Sequence, residues 1–225
     1  MPVYNEQSTL REIVGAVLAE PTRKELILVD DGSSDESRKI LGELVGLPGV
    51  RVIRHDRNRG KGAALRSGFA AAAGDVVIVQ DADLEYDPAE YAVLLAPLVR
   101  GDAEVVYGSR YLVDVDDPGR ERDTLIHYFG NRGLTFFSNL MTGLNLTDME
   151  TCYKCFRRGV LEGLAIRSRR FAVEPELTAK IARRDVRVWE VPIRYRGRKS
   201  TEGKKIGWRD AVAAMWAIVR YRIAD

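Results

Sequence analysis

Residues 76–88 read VVIVQDADLEYDP. Val76 to Gln80 is an apolar run closed by one glutamine, and Asp81-Ala82-Asp83 follows at once. A short apolar run bounded by turn residues predicts a strand covered on both faces, as in a parallel sheet. Two carboxylates at the carboxyl end of such a strand face the crevice of an open α/β sheet. They suit a hard, oxygen-seeking cation and the phosphates it accompanies. Two acids one residue apart are also common in turns, so the neighbouring segments decide.

Those neighbours alternate. Leu10, Ile13, Val14, Val17 and Leu18 follow helical spacing, and Glu25 to Asp31 reads as a strand ending in two acids. Asp35 to Val45 predicts a helix, with Ser33 or Ser34 available to cap it. Val50 to His55 predicts a strand, Lys61 to Ala73 an alanine-rich helix, Pro88 to Val99 a helix opening with proline, and Glu104 to Gly108 a strand. Strands separated by helices imply a parallel sheet with helices on both faces. The second half is less regular. Residues 114–122 predict a mobile loop, His127 to Met141 a helix, Thr151 to Arg157 a strand, Glu174 to Arg184 a helix, Val186 to Tyr195 a strand and Gly207 to Ile223 a last helix.

The 225 residues fit one large domain with ample core, and 45% hydrophobic with 30% charged residues is an ordinary globular balance. A net charge of +2 excludes a general polycation, and nothing here points to nucleic acid. The charge is uneven, however: between Arg194 and Arg209 seven basic residues face a single acid, Glu202. Such a segment seeks phosphate. No window approaches the ~18 apolar residues that mark a membrane-crossing helix. Asn5, Glu6, Arg11 and Glu12 interrupt the amino end too early for a signal peptide. Cys152 and Cys155 are the only cysteines. With no second pair for zinc, they read as reduced thiols of a cytoplasmic protein. Met1 to Glu6 reads as the end of a strand entering a loop, so the pattern predicts further strand residues upstream.

The strand-end loops carry the chemistry. Asp30 at the end of the second strand can accept hydrogen bonds from a base or ribose, while Gly32-Ser33-Ser34-Asp35 also suits a helix cap. Asn58-Arg59-Gly60-Lys61-Gly62 opens a helix with two glycines and a lysine, a place where anions bind. The spacing is not that of a Walker loop.

Together these pieces resemble the family 2 inverting glycosyltransferases, close to their dolichol- and polyprenyl-phosphate mannosyltransferase-like branch. The resemblance rests on Pro2 to Glu6, Val29 to Asp35, Asn58 to Gly62, Asp81 to Asp83, Gly108 to Arg110 and Thr147 to Arg157, in that order. It implies a Rossmann-like, GT-A type α/β fold with a mostly parallel central sheet flanked by helices. Residues 1–112 would form the nucleotide-sugar half, 113–206 the acceptor half with a mobile basic loop, and 207–225 an amphipathic helix.

The resemblance also implies roles. Pro2, Val3, Tyr4 and Glu6 would line the nucleotide pocket with Asp30, Asp31 and Gly32. Lys61, Asp81, Ala82 and Asp83 would continue it towards the diphosphate. Asp81, Asp83 and Glu85 would surround Mg²⁺ or Mn²⁺, with Glu85 standing where some relatives carry glutamine. Asp148 and Arg110 would act at the reacting centre with Asp83. Arg110, Arg132, Arg157 and Lys205 are candidates for acceptor or donor phosphate.

A hydroxyl acceptor needs a base. A phosphate monoester, with a second pKa near ~6, is already dianionic at neutral pH. For a phosphate acceptor, Asp148 would therefore orient a basic residue instead. The expected reaction is metal-dependent sugar transfer from a nucleotide sugar to polyprenyl phosphate at the inner membrane face. Transfer to a hydroxyl is the alternative, ahead of a binding-only protein or a nucleotidyltransferase. The last helix has two readings, packed on the domain or lying in an anionic membrane interface.

Overall fold

The computed structural model describes residues 1–112, 125–168, 172–197 and 208–224, with backbone alone at 125–127 and 208–210. The first half is the strand–helix repeat that the apolar spacing predicts. β1 (Pro2–Val3) leads to α1 (Leu10–Ala19), β2 (Leu26–Asp30), α2 (Ser37–Leu44), β3 (Val50–Arg54), α3 (Lys61–Ala71), β4 (Val76–Ile78), α4 (Tyr91–Arg100) and β5 (Val105–Ser109). The second half adds α5 (Leu125–Thr142), β6 (Lys154–Arg157), α6 (Arg158–Leu161), α7 (Val173–Ile181), β7 (Val188–Pro192) and α8 (Trp208–Ile223). Only α6, a single turn, has no counterpart in the sequence pattern. The loop expected at 114–122 lies outside the described residues.

Among the described residues the strands form two sheets. β1, β2 and β3 are parallel throughout, with Val29 opposite both Pro2 and Ile53. The second sheet runs β4-β6-β5-β7, and only β6 opposes its neighbours. All five residues of β2 are buried, because a parallel strand is covered by helices on both faces. A cleft of about 770 Å³ lies between β2 and β4, lined by Ile27, Val29, Phe69, Val77, Val79 and Tyr91.

The two larger apolar clusters among the described residues hold the layers. On one side Leu10, Ile13 and Val17 of α1 meet Leu41 of α2 and Leu94 and Leu98 of α4. The other joins Leu65 of α3, Phe156 of β6, Leu177 and Ile181 of α7 and Ile218 of α8. Leu41 and Leu94 are fully buried, and each such side chain contributes about 1.5–3 kcal/mol. α8 packs on α5 and α7.

This topology brings the chemistry to one end. Asp30 lies in register between Val3 and Arg54, so the loops after β1, β2 and β3 leave together. β6 runs the opposite way. Its first residue, Lys154, lies beside Tyr107 near the carboxyl end of β5, and its last, Arg157, lies beside Val76 at the start of β4.

Candidate active site

The loop after β1 is fastened to the loop after β2. Asn5 holds a left-handed backbone (φ 55°). Its Oδ1 accepts from the Ser34 amide at 2.8 Å, and its own amide donates to Ser33 Oγ at 3.2 Å. The Glu6 amide donates to Ser37 Oγ at 2.8 Å. Ser33 and Ser34 therefore do not cap α2, as the sequence suggested. They tie two loops together, and the Ser37 amide finds Asp35 Oδ1 at 2.9 Å. Thr9 adds a link from α1 to the acidic turn, donating to the Ala82 carbonyl at 2.7 Å. Pro2 to Glu6 are thereby fixed beside Ala82, with Tyr4 exposed.

Asp30 and Asp31 are both buried but divide the work. Asp30 Oδ1 accepts from the Ser33 amide at 2.8 Å. Asp31 is fully committed to protein. It accepts from the Arg59 amide at 3.0 and 3.1 Å, from the Gly60 amide at 2.7 Å, and meets His55 Nδ1 at 2.7 Å. His55 Nε2 in turn contacts Ser67 Oγ at 2.9 Å. The expectation that Asp31 contacts the nucleotide is corrected: its carboxylate shapes the glycine loop at the start of α3. Gly32 has the same kind of role. It sits at φ 74°, and a Cβ there would lie 2.4 Å from the Arg57 carbonyl carbon. Both the backbone conformation and the space exclude a side chain. Gly32→Ala is expected to cost well over ~1 kcal/mol of stability, since strain and clash add. A melting temperature equal to the parent's would refute that.

The acidic turn does not form a three-carboxylate cage. Asp81 Oδ2 accepts from Lys61 Nζ at 3.0 Å, Asp83 Oδ1 from the Glu85 amide at 3.3 Å, and Glu85 Oε2 from the Tyr195 hydroxyl at 3.0 Å. Between Asp83 and Glu85 the chain turns through Leu84 at φ 61°. Among the described residues no group of three or more His, Cys, Asp or Glu is placed to hold a metal. Glu85 is drawn to the Tyr195 segment, whose Arg196 amide also donates to the Glu85 carbonyl at 3.0 Å. That corrects the expectation of Glu85 as a third ligand. The strained Asn5 and Leu84 both sit in this crevice, as stored backbone strain commonly does.

Behind the turn lies a knot of charges that the sequence reading missed. Lys61 Nζ touches Asp81, Cys152 Sγ at 2.9 Å and Glu174 Oε1 at 3.3 Å. Burial opposes its charge, but Asp81, Cys152 and Glu174 together hold it protonated, well above the usual lysine range. Lys154 is fully buried, pairs with Glu174 at 2.5 Å and donates to the carbonyls of Met149 and Thr151. Glu174 sits in the first turn of α7, where the helix dipole favours a carboxylate. The available signal was Lys154 itself, a lysine inside an apolar strand.

Arg110 follows β5 and is clamped by Asp148. Its Nε and Nη2 reach Oδ2 and Oδ1 at 2.6 and 2.8 Å, and its amide adds a 3.1 Å bond to Oδ2. Asn131 donates to Oδ1 at 3.4 Å. Asp148 is completely buried, and Glu190 grips its loop through the Thr147 and Asp148 amides at 2.7 and 3.0 Å. Both oxygens of Asp148 are engaged by Arg110. The pairing with Arg110 is the arrangement expected for a phosphate acceptor, in which Asp148 orients a basic residue. The guanidinium stacks 5.0 Å from the Tyr195 ring centre, so Tyr195 joins Arg110 to Glu85.

The remaining cations separate. Arg132 is exposed on α5 and donates to the Thr147 carbonyl at 3.1 Å, next to the Asp148 loop. Arg157 is at the wrong end. The reversed direction of β6 carries it to the Leu98 carbonyl at 2.5 Å, away from the crevice, which overturns its reading as a phosphate ligand. Lys205 and most of the basic segment lie outside the described residues. Cys152 and Cys155 are not joined in a disulfide.

The family profile "Glycosyl transferase family 2" matches residues 1–164. The chain is 32% identical over 213 residues to the undecaprenyl-phosphate 4-deoxy-4-formamido-L-arabinose transferase of Edwardsiella ictaluri (strain 93-146), covering 91% of this chain and 61% of that one. It is 28% identical to the UDP-N-acetylglucosamine–dolichyl-phosphate N-acetylglucosaminyltransferase of Methanococcus voltae, covering 86% and 83%. The chain thus spans about 61% of the first relative's length. In fold it is similar to Mycobacterium tuberculosis glucosyl-3-phosphoglycerate synthase with UDP, at a TM-score of 0.72, 22% identity, and coverage of 100% of this chain and 79% of that chain. A complex of the same synthase with Mn²⁺, UDP and phosphoglyceric acid aligns at a TM-score of 0.70 and 20% identity, covering 97% and 74%.

Proposed function

The chain belongs to glycosyl transferase family 2, and from that premise we propose that it transfers a sugar, with inversion, from a nucleotide diphosphate sugar to a polyprenyl phosphate. The observation that carries the acceptor is the Arg110–Asp148 pair. It presents a guanidinium held along its Nε–Nη2 edge at the carboxyl end of β5, with the supporting carboxylate engaged in that pair. A dianionic phosphate needs a cation and no base, whereas a hydroxyl needs the reverse. The relatives named for undecaprenyl and dolichyl phosphate favour the same acceptor.

Asp30 and the Pro2–Glu6 loop are proposed to receive the nucleoside, and Lys61 with the Gly60 turn to face the diphosphate. A divalent ion commonly takes one or two carboxylates and completes its shell with substrate phosphates and water. Asp83, with Asp81 beside it, fits that pattern without a third acid, and either Mg²⁺ or Mn²⁺ is compatible. When bound, the ion would stabilise negative charge on the leaving diphosphate as a Lewis acid. Asp83 would hold it, and Asp81 would share its charge with Lys61.

Among the described residues no helix is long and apolar enough to cross a membrane. Two helices nevertheless show apolar stripes to solvent. On α5, Phe129, Phe136 and Leu140 are 66%, 71% and 71% exposed, and on α8 Trp216 and Ile223 are 64% and 72% exposed. α5 and α8 pack against each other, with Arg132 and Arg220 also exposed on them. We propose that these stripes enter the membrane interface that holds the lipid acceptor. The packed and interfacial readings of the last helix describe its two faces. Ala214, Ala217, Ile218 and Tyr221 are buried on the other one. Phe136→Glu with Trp216→Glu is expected to release the protein from anionic liposomes without changing its melting temperature. Unchanged co-sedimentation would reject the membrane contact.

The function itself is tested by offering labelled UDP-glucose, UDP-N-acetylglucosamine and GDP-mannose with polyprenyl phosphate and Mg²⁺ or Mn²⁺. Label entering the lipid phase supports the reading. Metal-dependent donor hydrolysis with no lipid product would move the acceptor towards a hydroxyl.

A further inference from the structure

Glu150 lies in the loop between the two charged groups of the crevice. Those are the Arg110–Asp148 pair and the Lys154–Glu174 pair. Glu150 feels the charges of all four: Arg110 after β5, Asp148 in its own loop, Lys154 on β6 and Glu174 on α7. Arg110 is bound along its Nε–Nη2 edge by Asp148, and Lys154 is divided among Glu174 and two carbonyls. Glu150 is half-buried as a residue, and its Oε1 is buried with no hydrogen-bond partner. A buried ionised oxygen without a donor is costly, whereas a neutral carboxyl can donate its proton to a ligand.

We propose that Glu150 is the acceptor contact that must carry a proton: its neutral carboxyl donates a hydrogen bond to the acceptor phosphate and completes the cradle begun by Arg110. The inference rests on the phosphate-acceptor reading above. An ionised Glu150 would place a second negative charge against the phosphate dianion, while the neutral acid fills an acceptor lone pair. Burial, then the Glu174 charge, push the Glu150 carboxyl up to about 7, against the opposing pull of Lys154 and Arg110. The group therefore changes state where the acceptor has already become dianionic. Acceptor binding favours the window between the phosphate's second ionisation, near ~6, and the ionisation of Glu150. Above that window, binding draws one proton from solvent.

The test uses the full chain, a short-chain polyprenyl phosphate and donor sugar. In the parent, the acceptor KM is expected to rise about tenfold per pH unit above neutrality. In Glu150→Gln, which keeps a donor but cannot ionise, KM should stay flat to pH 9 with kcat within about threefold of the parent. Calorimetry of the unaltered protein at pH 8, in two buffers of different ionisation enthalpy, should show uptake of close to one proton with the acceptor. This second measurement stands even if the variant does not fold. Acceptor binding without proton uptake, or a Glu150→Gln KM that climbs as in the parent, overturns the proposal alone. Loss of kcat by over a hundredfold in Glu150→Gln also overturns it, and makes Glu150 a base for a hydroxyl. Failure of the parent to bind a phosphate monoester at any pH overturns the phosphate-acceptor reading and the proposal with it.

Discussion

Asp148→Ala is expected to lower the free energy of unfolding by about 3–5 kcal/mol, because it leaves a largely buried guanidinium without its partner. The Arg110 side chain is only 13% exposed and Asp148 is 0% exposed, so water cannot replace the lost bonds. Three bonds from Arg110 and one from Asn131 end on that one carboxylate, and Glu190 fixes its loop. Denaturant titration reads the loss directly. The double variant Arg110→Met, Asp148→Leu separates structure from chemistry. Replacing a buried ion pair by apolar groups of similar volume is often neutral, so its stability should return towards the parent's while acceptor transfer stays absent. A double variant that regains transfer with its stability would show that Arg110 serves the fold alone.

The second large effect concerns the metal. Asp83→Asn is nearly isosteric and should leave the melting temperature within a few degrees of the parent's. Transfer should fall by a hundredfold or more, equivalent to at least ~2.7 kcal/mol of transition-state stabilisation. Glu85→Gln is the control. Since Glu85 accepts from Tyr195, it should keep metal dependence and change the Tyr195 contact instead. Asp83→Asn with normal rates and an unchanged Mn²⁺ requirement would remove Asp83 from the metal site. An equal loss in both variants would restore Glu85 as a ligand.

The fold was legible because its signals are local. Apolar runs such as Leu26–Asp30 and helical spacing such as Leu10, Ile13, Val14 and Val17 repeat through the first half, and each became the element expected. The segments carrying Asp30, Lys61, Asp81, Asp83 and Arg110 were legible too, because strand ends in an open sheet face one crevice. Partners were not legible. That Asp31 turns to Gly60, Asp148 to Arg110 and Glu85 to Tyr195 depends on distances across 29, 38 and 110 residues. No periodicity encodes such a pairing.

Arg157 shows the same limit in another form. Its place in a promising motif was plain, but the direction of β6 sends it to Leu98 at the far end of the sheet. Glu150 was passed over between Asp148 and Cys152, since an acid in a loop draws no attention until its Oε1 is seen buried among charges already paired. The sequence by itself determined the strand–helix order, the strand-end acids and the family, because these follow from residue type and spacing along one chain. Only the tertiary structure decided which carboxylates hold a loop and which hold a cation. A buried charge takes its role from whatever the fold brings within hydrogen-bond reach.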